Sequence, residues 1–135
     1  MTQSELFKYL GAPLANVRWS WGAIRSQDGA VVLRVWQDKK RKIDGKWYME
    51  LTNHKAYLGN ESDPGFSERL SHVEKIRAGA KTYMVMCEAE DPAAQPRDIK
   101  CFNEREVFVG GLIVAADGDW WLEQVGRMPI REARP

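Results

Sequence analysis

Six tryptophans in a chain of 135 residues, joined by four tyrosines and four phenylalanines, are the first residues here that could do chemistry. An indole buries a large apolar area, and its flat face also stacks on planar ligands. Trp19 and Trp21 lie two apart, on one face of an expected strand, and should share one environment. Trp36 shares its face with Arg34 and Val32, opposite Val31, Leu33 and Val35. If the latter set is core, Arg34 and Trp36 point toward a mouth, a groove or a covering element. Trp120 and Trp121 are adjacent and must face opposite ways. Between Trp36 and Trp47 runs DKKRKIDGK, in which Lys39, Lys40, Arg41, Lys42 and Lys46 outnumber two aspartates. Such a loop between tryptophan-bearing strands can grip phosphates while aromatic faces contact a base. The plainer reading is that the rings fill a core and the lysines keep a hairpin tip soluble.

Other chemistry is poorly supported by spacing. Cys87 and Cys101 lack a CxxC arrangement and read as small buried thiols. His54 and His72 belong to no metal-ligand motif, and no GxSxG elbow, GxGxxG turn or GxxxxGK[ST] loop occurs. No cofactor and no metal are expected. Carboxylates at Glu88, Glu90, Asp91, Asp98, Glu104 and Glu106, with Lys100 nearby, keep open a metal-dependent nuclease, although no set stands out.

The elements that must position these groups can be read from periodicity. Thr2 to Glu5 has capping-box spacing before Leu6, Phe7 and Leu10, which predicts a short N-terminal helix. VRWSWGAIR (17–25) and VVLRVWQ (31–37) alternate around Asp28-Gly29 and read as a hairpin. Residues 38–46 read as a polar loop, WYMELTN (47–53) as a third strand, and 54–65 as a long loop rich in turn formers. Phe66, Leu70, Val73 and Ile76 fall on one helical face that ends at Gly79. Strands are expected at 81–90, 98–102, 107–114 and 120–125, with Asp117-Gly118 as a hairpin turn. The tail 127–135 reads as loosely attached.

These elements predict one α+β domain over residues 1–135: a small, curved, mostly antiparallel β-barrel with the main helix between the third and fourth strands. Composition agrees with an ordinary globular chain, 44% hydrophobic and 29% charged, with 20 cations against 19 anions. That near balance excludes a polybasic tail protein, so a nucleic-acid surface must arise from local clustering. No apolar run is long enough to span a membrane and no secretory leader is evident, which leads to the expectation of a cytoplasmic protein without membrane partners.

The runs RWSWGAIRSQDGAVVLRVWQD (18–38), ERLSHVEKIRAGAKTYMVMCEAED (68–91) and VFVGGLIVAADGDWWLE (107–123) resemble a family of small bacterial proteins that also occurs beside HNH-type endonucleases. The layout is similar to the PUA-like group, which includes SRA, EVE, YTH and ASCH domains. That resemblance implies a non-catalytic nucleic-acid-binding module, DNA ahead of RNA, in a restriction or defence setting, with a modified or flipped base held in an aromatic-lined pocket. Under it, Trp19, Trp21, Trp36 and Trp47 are candidates for stacking, Arg34 and Asn53 for contacts to the base edge, and Lys39, Lys40, Arg41 and Lys42 for phosphates. The departures are an overall charge lower than that of most DNA binders and the absence of a cage that aligns residue by residue. The alternative outside this class is a protein-interaction or inhibitor protein whose exposed tryptophans anchor a partner.

Overall fold

The computed structural model describes residues 1–135. Its elements are α1 (Gln3–Tyr9), β1 (Gly22–Ile24), β2 (Val31–Trp36), β3 (Lys40–Ile43), β4 (Lys46–Glu50), a 3₁₀ turn at His54–Tyr57, α2 (Pro64–Arg77), β5 (Thr82–Ala89), β6 (Ile99–Phe102), β7 (Glu106–Ala116), β8 (Asp119–Pro129) and a last 3₁₀ turn at Ile130–Glu132. The strands form one sheet in the order β1-β2-β5-β7-β8-β4-β3, with β6 paired to β5. Every pairing is antiparallel except β2 with β5, which run parallel from Val31↔Thr82 to Trp36↔Cys87.

Local rules account for most of these elements. At α1 the Glu5 amide donates to Thr2 Oγ1 at 3.1 Å and the Thr2 amide donates to Glu5 Oε1 at 3.0 Å, so the capping box forms. Two hairpins turn at Asp-Gly pairs. Asp44 and Gly45 have φ of 50° and 81°, and Asp117 and Gly118 have 52° and 83°, the positive values that a tight two-residue hairpin turn requires. The β2 and β5 segments are apolar along nearly their whole length because both faces are covered. Val32, Tyr83, Val85 and Cys87 pack with Leu6 and Phe7 of α1 and with Leu10 at its C-cap on one side. Val31, Leu33, Val35 and Met84 pack with Val73 and Ile76 of α2 on the other.

The sheet is α+β and mostly antiparallel, as the sequence implies, but it is not closed into a barrel. Its end strands, β1 and β3, do not pair. The expected strand 17–25 contributes only the three residues of β1, because the chain before Gly22 is drawn onto α2 and leaves the sheet. Residues 38–46, read as a loop, instead hold β3 and the turn into β4, so α2 falls between the fourth and fifth strands. The alternation in KRKI was masked by its charge, since an edge strand with one solvated face can be built of lysine and arginine.

The C-terminal segment also departs from its reading as a loose tail. β8 runs to Pro129, and Ala133 is fully buried. The buried Arg25 guanidinium donates to the carbonyls of Leu10 and Ala133 at 2.9 and 2.6 Å while pairing with both oxygens of Asp28. Of the two cysteines, Cys87 is buried, whereas Cys101 is exposed on β6 beside Glu88. No helix is long and apolar enough to cross a membrane.

One buried group makes the fold sensitive to acid. His72 of α2 is 5% exposed, and its Nδ1 has no hydrogen-bond partner. Burial, and then the charge of Arg69 one turn earlier, pushes its pKa down to about 4. The unfolded chain therefore takes up this proton first, near pH 6.5, so the stability carried by neutral His72 is intact above that pH and drains away as pH falls toward 4. The loss should reach about 3 kcal/mol. Urea unfolding across this window should show it, and His72→Gln should flatten that limb; an unchanged slope would refute the assignment.

Candidate functional site

The short β1 and the curl of the sheet leave a hollow at the C-terminal end of β2. The gap between β2 and β4, which are not sheet neighbours, is spanned by Arg69 of α2. Its Nη1 donates to the Leu51 carbonyl at 2.9 Å, and its Nη2 donates to the carbonyls of Arg34 at 2.7 Å and Trp21 at 3.2 Å. A side chain thus does what a strand ladder does elsewhere in the sheet. Burial, together with the charge of Arg34, pulls the Arg69 pKa down to about 10, so the guanidinium stays charged at neutral pH.

The hollow has a volume of about 250 Å³. Trp21, Arg34 and Trp36 form one wall, with Glu50 at the end of β4 and Leu51 just beyond it on another. Asn53, Ala56 and Tyr57 come from the 3₁₀ turn, Lys39 from the entry to β3, and Pro92 to Arg97 from the loop between β5 and β6. Four cationic side chains face one carboxylate, and no serine, threonine, cysteine or histidine lines the space. A cavity of this size lies below the usual range for drug-sized ligands and suits a single small planar group.

Trp21 is held from several sides. Its amide donates to Glu68 Oε1 at 3.1 Å, and the neighbouring Ser20 hydroxyl donates to Glu68 Oε2 at 2.8 Å. Tyr57 lies against the indole at a centroid distance of 5.5 Å and stacks in turn on Phe66 at 4.7 Å. Gly65 lets α2 approach, because a Cβ there would come within 2.5 Å of the Trp21 ring. Gly65→Ala should therefore cost about 1–3 kcal/mol by overpacking and change Trp21 fluorescence. A variant with the parent's unfolding midpoint and emission would contradict this packing.

The loop over the cavity is clipped by Arg97. Its guanidinium meets both Asp38 oxygens at 2.6 and 2.7 Å, donates to the Pro92 carbonyl at 2.7 Å and lies 5.3 Å from the centroid of Trp36. These contacts hold Asp38 ionised well below the usual carboxylate range. Glu50, in contrast, makes no hydrogen bond or ion pair through its side chain, and burial raises its pKa. Arg34 has only a long 3.4 Å contact to Gln3 Oε1, and burial lowers its pKa. The Asn53 oxygen accepts from the Ala56 amide at 3.2 Å, which leaves its NH₂ group free.

The sequence-derived candidates separate accordingly. Trp21, Trp36, Arg34, Asn53 and Lys39 meet at the cavity. Trp19 does not: it sits in the turn before β1, 36% exposed, so the expected pairing of Trp19 with Trp21 on one strand face fails. Trp47 is also outside, 45% exposed on β4 beside β3. Lys40 and Lys42 lie over the Trp47 ring, at 5.3 and 5.7 Å from its centroid. Arg41 alternates to the other face, where it pairs with Asp117 at 2.7 Å and covers Trp121. Tyr57, Glu50, Arg69, Gln95 and Arg97 complete the cavity without having been singled out by sequence. The burial of Arg69 has no local signal in the sequence.

His54 Nδ1 lies 2.7 Å from Asp119 Oδ1, which also accepts from the His54 amide and the Thr52 hydroxyl. This pair does not line the cavity, and its bonds fix the start of the 3₁₀ turn. No three or more histidine, cysteine, aspartate or glutamate side chains are grouped so as to hold a metal ion. No protein-family model, curated protein or solved structure matches the chain.

Proposed function

We propose that this protein is a non-catalytic nucleic-acid-binding module that takes one unstacked base into the cavity beside Trp21 and Trp36. The observation that carries the reading is the cavity itself: a small hollow with aromatic walls, an excess of cations, and hydrogen-bonding groups that the protein leaves unspent. Extruding a base exposes its π-face and its Watson–Crick edge together, and such a hollow answers both. The resemblance to PUA-like domains points the same way and adds a modified base in a restriction or defence setting.

The approach for the strand is the β3 edge. Lys39 stands at the cavity, and Lys40 and Lys42 follow on β3 with exposed side chains. Phosphates flanking an inserted base would meet them, with Arg41 excluded by its pairing to Asp117. Titration with single-stranded oligonucleotides at several salt concentrations tests this. Each phosphate contact contributes about −0.7 to the slope of log K against log salt for single strands, so replacing Lys39, Lys40 and Lys42 by glutamine should flatten the slope by about 2. Equal slopes for parent and triple variant would remove the β3 edge from the interface.

A further inference from the structure

Resting on the reading of the cavity as a base pocket, we infer that Glu50 makes it selective for bases carrying an exocyclic amino group over their keto counterparts. Hydrogen-bonding capacity left unspent around the cavity points to this selectivity. Arg69 and Arg97 spend their Nη groups on protein acceptors, while the buried Arg69 Nε has no partner and is itself an unspent donor. Arg34 and the Asn53 NH₂ group also remain as donors. Glu50 remains as the one carboxylate in the lining, with no donor of the protein directed at it.

Glu50 is half-buried, so water can solvate its carboxylate in the free protein, and a ligand that displaces this water must bring a hydrogen-bond donor in its place. Glu50 and Arg34 stand on β4 and β2, whose backbones are tied to the same Arg69 guanidinium, so the acceptor and the donor are carried by opposed strands. A ring with an amino group at one end and a carbonyl or ring nitrogen at the other satisfies both. Cytosine and adenine have that polarity, and a carboxylate accepting from the cytosine amino group is an established type of base contact. Uracil and hypoxanthine present a carbonyl oxygen at the amino position. That oxygen would face the Glu50 carboxylate with no proton between them, leaving two acceptors in contact and the carboxylate unpaired.

The test uses short single-stranded oligonucleotides of abasic sites bearing one base, which is cytosine, uracil, adenine or hypoxanthine, with binding read by tryptophan fluorescence. One good base contact is worth about 1–3 kcal/mol, so cytosine should bind about 5- to 150-fold more tightly than uracil, and adenine should exceed hypoxanthine similarly. Glu50→Gln, which can turn an N–H toward a carbonyl, should abolish or invert the preference. Equal binding of cytosine and uracil to the unmodified protein, lost in Trp36→Ala, would overturn the role of Glu50 and leave the base pocket standing. Binding of none of the four strands would overturn both. The comparison of bases on the unmodified protein needs no variant to fold.

Discussion

Replacing Arg69 by leucine is expected to destabilise the protein by about 3–5 kcal/mol, the largest effect of any single substitution outside the apolar core. Arg69 has no carboxylate in contact. Its partners are the carbonyls of Leu51, Trp21 and Arg34; the Trp21 carbonyl also accepts from the Arg34 amide at 2.9 Å, whereas β2 and β4 do not pair and offer no ladder across the gap. Leucine removes the positive charge cleanly, so no unpaired ion remains, but the Leu51 and Arg34 carbonyls lose the donor that Arg69 supplies. Each orphaned acceptor costs about 1–3 kcal/mol, with partial relaxation bringing the sum below simple addition. For a chain of this length the loss corresponds to a fall in Tm of roughly 10 °C or more. Arg69→Lys should recover little, since an ammonium lacks the planar fork that reaches three carbonyls. Calorimetry on the leucine and lysine variants checks both statements. A leucine variant within about 0.5 kcal/mol of the parent would show that the span between β2 and β4 does not depend on this side chain.

Trp36→Ala should weaken binding of a single-stranded oligonucleotide by about 1–3 kcal/mol, or roughly 5- to 150-fold, the usual contribution of one stacking ring. Trp47→Ala should change it by far less. The two residues are a matched contrast: both are tryptophans flanking the basic segment, but Trp36 lines the cavity and Trp47 lies under Lys40 and Lys42 outside it. Loss of Trp47 would mainly loosen two lysines, which acts on the phosphate contribution and fades at higher salt. Loss of Trp36 should persist at all salt concentrations, because stacking involves no counterion release. Parallel titrations of the two variants at low and high salt separate these cases. If Trp47→Ala were the more damaging at high salt, bases would be stacking on the sheet surface and the cavity would not be their site.

Much of the architecture was legible because it follows local rules. The capping box at Thr2, the Asp-Gly turns and the apolar stripe of α2 each depend on residues within one turn or one hairpin. What failed was the non-local part. Nothing near Trp19 signals that Glu68, 47 residues beyond Trp21, captures the backbone so that the strand begins only at Gly22. Nothing in the polar run 38–46 distinguishes an edge strand from a loop once lysines fill its outward positions. The same division applies to the site. Trp21, Arg34, Trp36 and Asn53 were recognisable by residue type, and Arg34 and Trp36 also by strand position, whereas Glu50, Tyr57 and the loop at 92–97 enter the cavity only through the curl of the sheet. Arg25 and Arg69 show the limit most clearly: nothing in the sequence marks either for burial, yet both are buried as donors to backbone carbonyls that distant segments supply.

In the proposed function, an aromatic hollow at the end of β2 receives a base. The six indole N–H resonances of the protein, each assigned by single Trp→Phe replacement, report on it in one titration with cytidine, which carries no phosphate to engage the lysines. The account predicts that the signals of Trp21 and Trp36 move with a common saturation curve while those of Trp19, Trp47, Trp120 and Trp121 stay in place. Movement confined to Trp19 or Trp47, with Trp21 and Trp36 unaffected at saturation, would contradict it.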